Sequence, residues 1–79
     1  MPTLLLIKGF RFFFYSNENN EPAHVHVTKD SAEGKIWLEP NLRIAYMNGF
    51  STAEQRDIFN IVNANFESLK EKWYEFFNE

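Results

Sequence analysis

Cysteine is absent from this chain, and that absence removes several classes of function at once. Without a thiol there can be no disulfide, no thiolate zinc site and no cysteine nucleophile. Long apolar runs are missing as well, so the sequence predicts no membrane-spanning segment. The first residues also lack the basic and then apolar pattern of a secretory signal. We therefore expect a cytoplasmic protein that does not associate with a membrane.

A strong net charge of one sign is missing too. The net charge is −3; residues 1–50 hold five basic and five acidic side chains, whereas residues 51–79 hold three basic and six acidic ones. Domains that bind nucleic acid usually carry a marked basic surface. The sequence therefore leaves room only for a local cationic patch, in the amino-terminal part of the chain.

Aromatic residues, in contrast, are plentiful. They make up 18% of the 79 residues and include nine phenylalanines. A chain this short has a small core, and each large apolar side chain that it buries contributes roughly 1.5–3 kcal/mol. The composition predicts a single folded domain over residues 1–79, with a sheet in residues 1–50 and helices in residues 51–79.

Five segments of the first part have strand character and are separated by turn-forming residues. We predict strands at residues 3–7, 10–15, 24–29 and 35–39, with residues 42–47 as a short fifth strand or an irregular edge. Lys8-Gly9 predicts a tight hairpin turn. Longer turns are predicted at residues 16–22 and 30–34.

From Ser51 onward the apolar residues recur at helical spacing. Ser51 and Glu54 fit a capping box, in which each side chain bonds the backbone amide of the other residue. One helix over residues 52–77 would be about 39 Å long, which is too long for a globule of this size, so we expect a break near residues 63–65. The predicted fold is α+β: a four- to five-stranded, mostly antiparallel sheet followed by two carboxy-terminal helices packed on one face.

Both histidines of the chain lie in the segment Glu21-Pro22-Ala23-His24-Val25-His26-Val27. On a strand, side chains two residues apart project from the same face, so the histidines share one face and the valines share the other. We expect the valine face to be covered by the helices. The opposite face is then expected to carry Arg11, Tyr15, His24, His26, Lys35 and Trp37.

These side-chain types are chemically sufficient to cleave a phosphodiester bond in RNA. The reaction needs a base, an acid and a cation near the phosphate. We predict that His24 and His26 act as the base and the acid, and that Arg11 and Lys35 supply the positive charge. Aromatic side chains stack on unpaired bases. The predicted binding residues are Tyr15, Trp37 and Glu21.

A metal site is an alternative interpretation of the same histidines. His24 and His26 could bind one ion together with a carboxylate from Glu21, Glu33 or Glu39. A four-ligand site would need further carboxylates or a second subunit, because the chain has only two histidines and no cysteine. The commonest roles of such residues are structural: histidines that bond locally, aromatic side chains that pack and strand charges in solvent. We predict no cofactor.

Several segments together resemble one family of short bacterial proteins. They are Met1-Pro2-Thr3, Phe10-Arg11-Phe12-Phe13-Phe14-Tyr15-Ser16-Asn17-Glu18, the histidine segment, Lys35-Ile36-Trp37-Leu38-Glu39-Pro40, Gly49-Phe50-Ser51 and Trp73. The family is known only by a serial label, domain of unknown function forty-one sixty. The resemblance spans almost the whole chain, and Ala23 stands where the family often has a second proline.

The resemblance implies a partner and no defined reaction. Proteins of this kind are commonly encoded beside a second small protein, in pairs that look like toxin–antitoxin modules. We therefore expect one member of such a pair, and two hypotheses follow. The chain is either a ribonuclease-type toxin that acts on RNA, or a non-enzymatic module that binds its small cognate partner. A homodimer is a further way to cover exposed apolar surface.

Overall fold

The structure is a computed structural model that describes residues 3–15 and 20–77. It consists of a sheet followed by two helices, and the predicted α+β fold is confirmed. The strands and helices are β1 (Thr3–Ile7), β2 (Phe10–Phe13), β3 (His24–Lys29), β4 (Ala32–Trp37), β5 (Arg43–Asn48), α1 (Thr52–Ala64) and α2 (Phe66–Phe77). The strands lie in chain order, and every neighbouring pair is antiparallel.

The first hairpin forms as predicted. Lys8 and Gly9 have positive φ angles of 55° and 82°. Two successive positive φ angles are typical of the tight turns that match the twist of a hairpin. β2 ends at Phe13, two residues earlier than expected, although the Phe14 side chain remains fully buried. Of the loop predicted at residues 16–22, residues 16–19 lie outside the described residues.

The turn predicted at residues 30–34 is wrong in length. Only Asp30 and Ser31 connect the strands, and Asp30 has a positive φ of 54°. Ala32 already pairs with Lys29, and Gly34 lies in β4 as a buried residue opposite Val27. The glycine indicated a turn in the sequence, but in the structure it fits a place where neighbouring strands come close.

The helices start and break where the sequence predicts. The Glu54 amide donates to the Ser51 hydroxyl, and the Ser51 amide donates to the Glu54 carboxylate, so the capping box is present. Asn65 separates the two helices, and its side-chain amide donates to the Ile61 carbonyl. Both helices pack on one face of the sheet. The core there includes Phe12, Val25, Val27, Ile36, Leu38, Ile58, Val62 and Leu69.

Each edge strand of the sheet contains one extra residue. In β1 the pairing with β2 shifts across Leu4, and in β5 the pairing with β4 shifts across Ala45. Such β-bulges change the face to which the following side chains point. In β5 the bulge places Tyr46 opposite Lys35 and Ile44 opposite Ile36. Tyr46 and Ile44 therefore lie on opposite faces of the sheet.

Candidate functional site

The face of the sheet away from the helices carries the residues that the sequence analysis placed together. Phe13 is opposite His26 in one ladder, and in the next His26 is opposite Lys35 and His24 is opposite Trp37. Opposed residues in an antiparallel pair share a face. We use the name histidine face for the surface made by Arg11, Phe13, Tyr15, His24, His26, Lys35 and Trp37.

Ring contacts run across the histidine face. The Tyr15 and His26 ring centroids are 4.5 Å apart, and those of His26 and His24 are 5.1 Å apart. His26 also stacks on Phe13 at 5.7 Å, and His24 lies 5.3 Å from Trp37. These are the separations of favourable aromatic pairs. Each ring therefore limits the movement of the next one.

His24 is held from several directions. Its side chain is 0% exposed, and its Nδ1 lies 2.9 Å from the Pro22 carbonyl oxygen. Because a carbonyl only accepts hydrogen bonds, Nδ1 carries the hydrogen. The ring also lies 4.9 Å from Trp73 of α2, a contact with the helix layer that strand alternation did not predict. In this arrangement His24 fixes the start of β3 and has no surface for a ligand.

The cations of the histidine face are tied to their neighbours. The Lys35 ammonium is 2.8 Å from the Glu21 carboxylate and 4.3 Å from the centre of the Trp37 ring. The Arg11 guanidinium lies 4.7 Å from the centre of the Phe13 ring. Both are cation–π geometries. Glu21, which precedes β3, thus joins this surface as the counter-ion of Lys35.

The four predicted catalytic residues share a face but do not meet at one point. Arg11 is opposite Thr28, at the far end of β3 from His24. Thr28 and His24 are four positions apart along the strand, a distance of about 13 Å. The arrangement is an extended surface, and the catalytic roles of these residues remain a prediction.

A third metal ligand does not join the histidines in the described ranges 3–15 and 20–77. No group of three or more His, Asp or Glu side chains there could hold a metal ion. The Glu21 carboxylate is 3.9 Å from His24 Nδ1 but is bound to Lys35. Glu39 accepts a hydrogen bond from the Tyr74 hydroxyl, which raises the pKa of Tyr74. Glu33 is exposed and lies opposite Thr28.

Sequence reasoning missed three residues near this surface. Tyr46 lies opposite Lys35, and Arg43 lies opposite Trp37, so β5 extends the histidine face. Their side could not be read from alternation because the bulge at Ala45 changes it. The third residue is Trp73 of α2, whose ring lies against His24.

A comparison with protein families identifies the family of this chain. The family model described as Domain of unknown function (DUF4160) matches residues 9–74. The chain belongs to this family. The matched range of the DUF4160 domain runs from the first hairpin turn into α2 and contains the whole histidine face. No curated protein and no solved structure matches the chain.

This family has no assigned function, so membership in it does not identify an activity for the chain. One further finding concerns membranes. Within the described part of the chain, no helix combines the length and the apolar character that crossing a bilayer requires.

Proposed function

We propose that this DUF4160 protein is one member of a toxin–antitoxin-like pair and that its histidine face binds the small partner protein encoded beside it. One observation supports the proposal above all. The helices cover one face of the sheet, while the other face is a layer of aromatic and charged side chains that hold one another in place. Aromatic residues and arginine are the side chains most enriched in the binding centres of interfaces.

The same geometry favours binding over catalysis. A general acid or base has to reach the proton that it transfers, directly or through one water. His24 has no exposed surface, and Arg11 of β2 lies opposite Thr28, far along β3 from His24. Among the described residues, every buried side-chain nitrogen and oxygen has a hydrogen-bond partner. A preorganised surface of this kind lowers the entropy cost of binding a second protein.

The test is a binding measurement with a matched pair of variants. Arg11→Ala/Tyr15→Ala removes a cation and an aromatic ring from the histidine face. Arg56→Ala/Phe59→Ala removes the same chemistry from the exposed side of α1, and Phe59 and Tyr15 are equally exposed at 36%. We expect isothermal titration with the neighbouring protein to give a Kd that is raised roughly tenfold or more by the first pair only. Equal effects, or no complex with the native chain, contradict the proposal.

RNA is the second candidate ligand of this face. One specific feature favours it: the Lys35 ammonium and the Arg11 guanidinium lie beside aromatic rings, a combination that suits phosphates next to stacked bases. If RNA is the ligand, the residues of the histidine face carry the roles in cleavage and base binding that the sequence analysis predicts.

Bacterial growth after induced expression separates the two candidates. A ribonuclease-type toxin arrests growth, and His24→Ala/His26→Ala at equal protein level relieves the arrest. Both histidines are buried, but His26 is 6% exposed and His24 is 0% exposed, so His26→Gln is the more informative single change, and circular dichroism verifies that the variant is folded. Growth arrest that His26→Gln abolishes, together with cleaved RNA, favours the ribonuclease. Normal growth with the native chain favours partner binding.

A further inference from the structure

We propose that the outer edge of β5 accepts an extended segment of the partner protein as a sixth strand of the sheet. This inference rests on the proposed partner-binding function and adds the place and the mode of binding. Extended segments commonly bind by adding to an exposed sheet edge, where main-chain hydrogen bonds give affinity and alternate side chains give specificity.

β5 is exposed to an unusual degree for a strand of this sheet. It is the last strand in the order, and among the described residues no strand pairs with it on the side away from β4. Five of its six residues are exposed, while Met47 is half-buried. Two large apolar side chains, Ile44 and Tyr46, are each 39% exposed. On the opposite edge, Leu4 and Leu5 of β1 pack against the core, and Leu6 is its one large apolar side chain that is exposed, at 69%.

The bulge at Ala45 argues against a second copy of this chain as the occupant. Two copies of β5 placed antiparallel about a two-fold axis match side chains of the same face along the whole strand in one register, Arg43 opposite Asn48 and Ile44 opposite Met47. That register puts the two bulges against each other at the centre. A bulge leaves its extra residue unpaired and interrupts the hydrogen bonds between two strands. Two bulges that face each other would interrupt these hydrogen bonds in both strands at the same place.

A regular strand from another protein has no such difficulty. β4 itself pairs with β5 on both sides of the bulge, from Glu33 opposite Asn48 to Trp37 opposite Arg43. A partner segment can therefore accommodate the extra residue in the way that β4 does. This makes β5 an edge that resists pairing with itself and still accepts a different strand.

The flanks of β5 indicate the chemistry of the segment. Ile44 and Met47 lie on the helix side, and Arg43 and Tyr46 lie on the histidine side. β5 carries one positive and no negative charge. Cross-strand neighbours of opposite charge, and pairs of aromatic and β-branched residues, stabilise a ladder. The fitting segment has an apolar residue beside Ile44 and an acidic residue beside Arg43.

The first experiment measures amide hydrogen exchange of the full chain, free and with the purified neighbouring protein as the probe. Exchange of the β5 amides is expected to slow roughly tenfold in the complex, while exchange at the centre of α1 stays unchanged. Ile44→Lys provides the mutational test, because lysine on an edge strand opposes pairing and Ile44 is not part of the histidine face. Phe59→Lys, at a similarly exposed apolar site on α1, is the control.

The expected result is a Kd raised roughly tenfold by Ile44→Lys and unaltered by Phe59→Lys. A complex that is weakened by Arg11→Ala/Tyr15→Ala but shows no β5 protection and no effect of Ile44→Lys overturns this inference and leaves the proposed function standing. Absence of any complex overturns both. A homodimer in sedimentation that Ile44→Lys dissociates overturns the choice of a partner strand in favour of a second copy.

Discussion

The two faces of this sheet are buried in different ways, and two adjacent residues show the contrast. Phe12 points to the helix face, where its neighbours are the apolar residues of a second layer. Phe13 points to the histidine face and is 2% exposed, yet its ring contacts come from Arg11, Tyr15 and His26 of the same sheet.

The two kinds of burial differ in what they contribute to stability. On the helix face, side chains leave water by packing between two layers, which gives the larger hydrophobic contribution. On the histidine face, rings and cations are ordered by lateral contacts; both histidines are buried, and Tyr15 is 36% exposed. A surface of this type can bind a ligand without first paying the entropy cost of ordering its side chains.

The largest effect is expected from the two phenylalanines. Phe12→Ala should lower the free energy of unfolding by about 3–5 kcal/mol, because the cavity it leaves lies between two packed layers. Phe13→Ala should cost less, about 3 kcal/mol at the lower end of that range, because its ring contacts come from the sheet alone. Urea denaturation of both variants measures the difference. Equal losses would mean that the histidine face stabilises the fold as much as the core does.

A smaller effect is expected at Gly34, on the helix face near the exposed strand β5. A Cβ built there would lie 2.7 Å from the Met47 sulfur and 3.1 Å from the Tyr46 carbonyl oxygen. Gly34→Ala should cost about 1–3 kcal/mol, because the methionine can move but the backbone has to shift. In a double-mutant cycle with Met47→Ala, the second change should relieve part of the cost. No coupling would show that the contact with the backbone dominates.

Local patterns in the sequence predicted a good part of this architecture. The alternation around Phe12 and His26 assigned the faces, and Ser51 with Glu54 gave the start of α1. These features depend on neighbours in the chain, so a pattern of a few residues is enough to reveal them.

Other features depend on contacts between distant segments and could not be predicted. Gly34 has turn chemistry but lies in a strand, where the close approach of Met47 leaves little room for a Cβ atom. The burial of His24 needs Trp73, which comes from a helix near the other end of the chain. The place of Tyr46 on the histidine face depends on a bulge that no composition signal marks.

The ion pair on the histidine face should contribute less than either packing contact. The Lys35 side chain is 14% exposed and that of Glu21 is 39% exposed, so solvent screens the pair from one side. A double-mutant cycle of Lys35→Met and Glu21→Gln should give a coupling of about 0.5–1 kcal/mol. The coupling should decrease in roughly 1 M salt. A coupling that is larger and insensitive to salt would mean that the pair is shielded from solvent like the core residues. The contrast between the two faces would then be weaker.

The smallest effect, on the helix layer, is a dependence on pH at Glu54. The backbone amide of Ser51, with Lys29 at 3.5 Å, holds the pKa of this carboxyl below its ordinary value of 4.5. Because the pKa is lower in the folded state, the carboxylate stabilises the protein at pH values above its ordinary pKa. This contribution is lost as the pH falls through the folded pKa. Glu54→Gln should therefore lower the urea midpoint near neutral pH, and this effect should disappear as the pH falls through the folded pKa, below 4.5.

Glu71→Gln, at an exposed position in the middle of α2, is the control for the change in charge itself. Its effect should be smaller than that of Glu54→Gln near neutral pH, because residue 71 does not cap a helix. If the effect of Glu54→Gln persisted in acid, the side chain would act through contacts that do not depend on its charge. The attachment of α1 to the sheet would then rest on packing alone, as the apolar composition of the helix face already suggests for the rest of that layer.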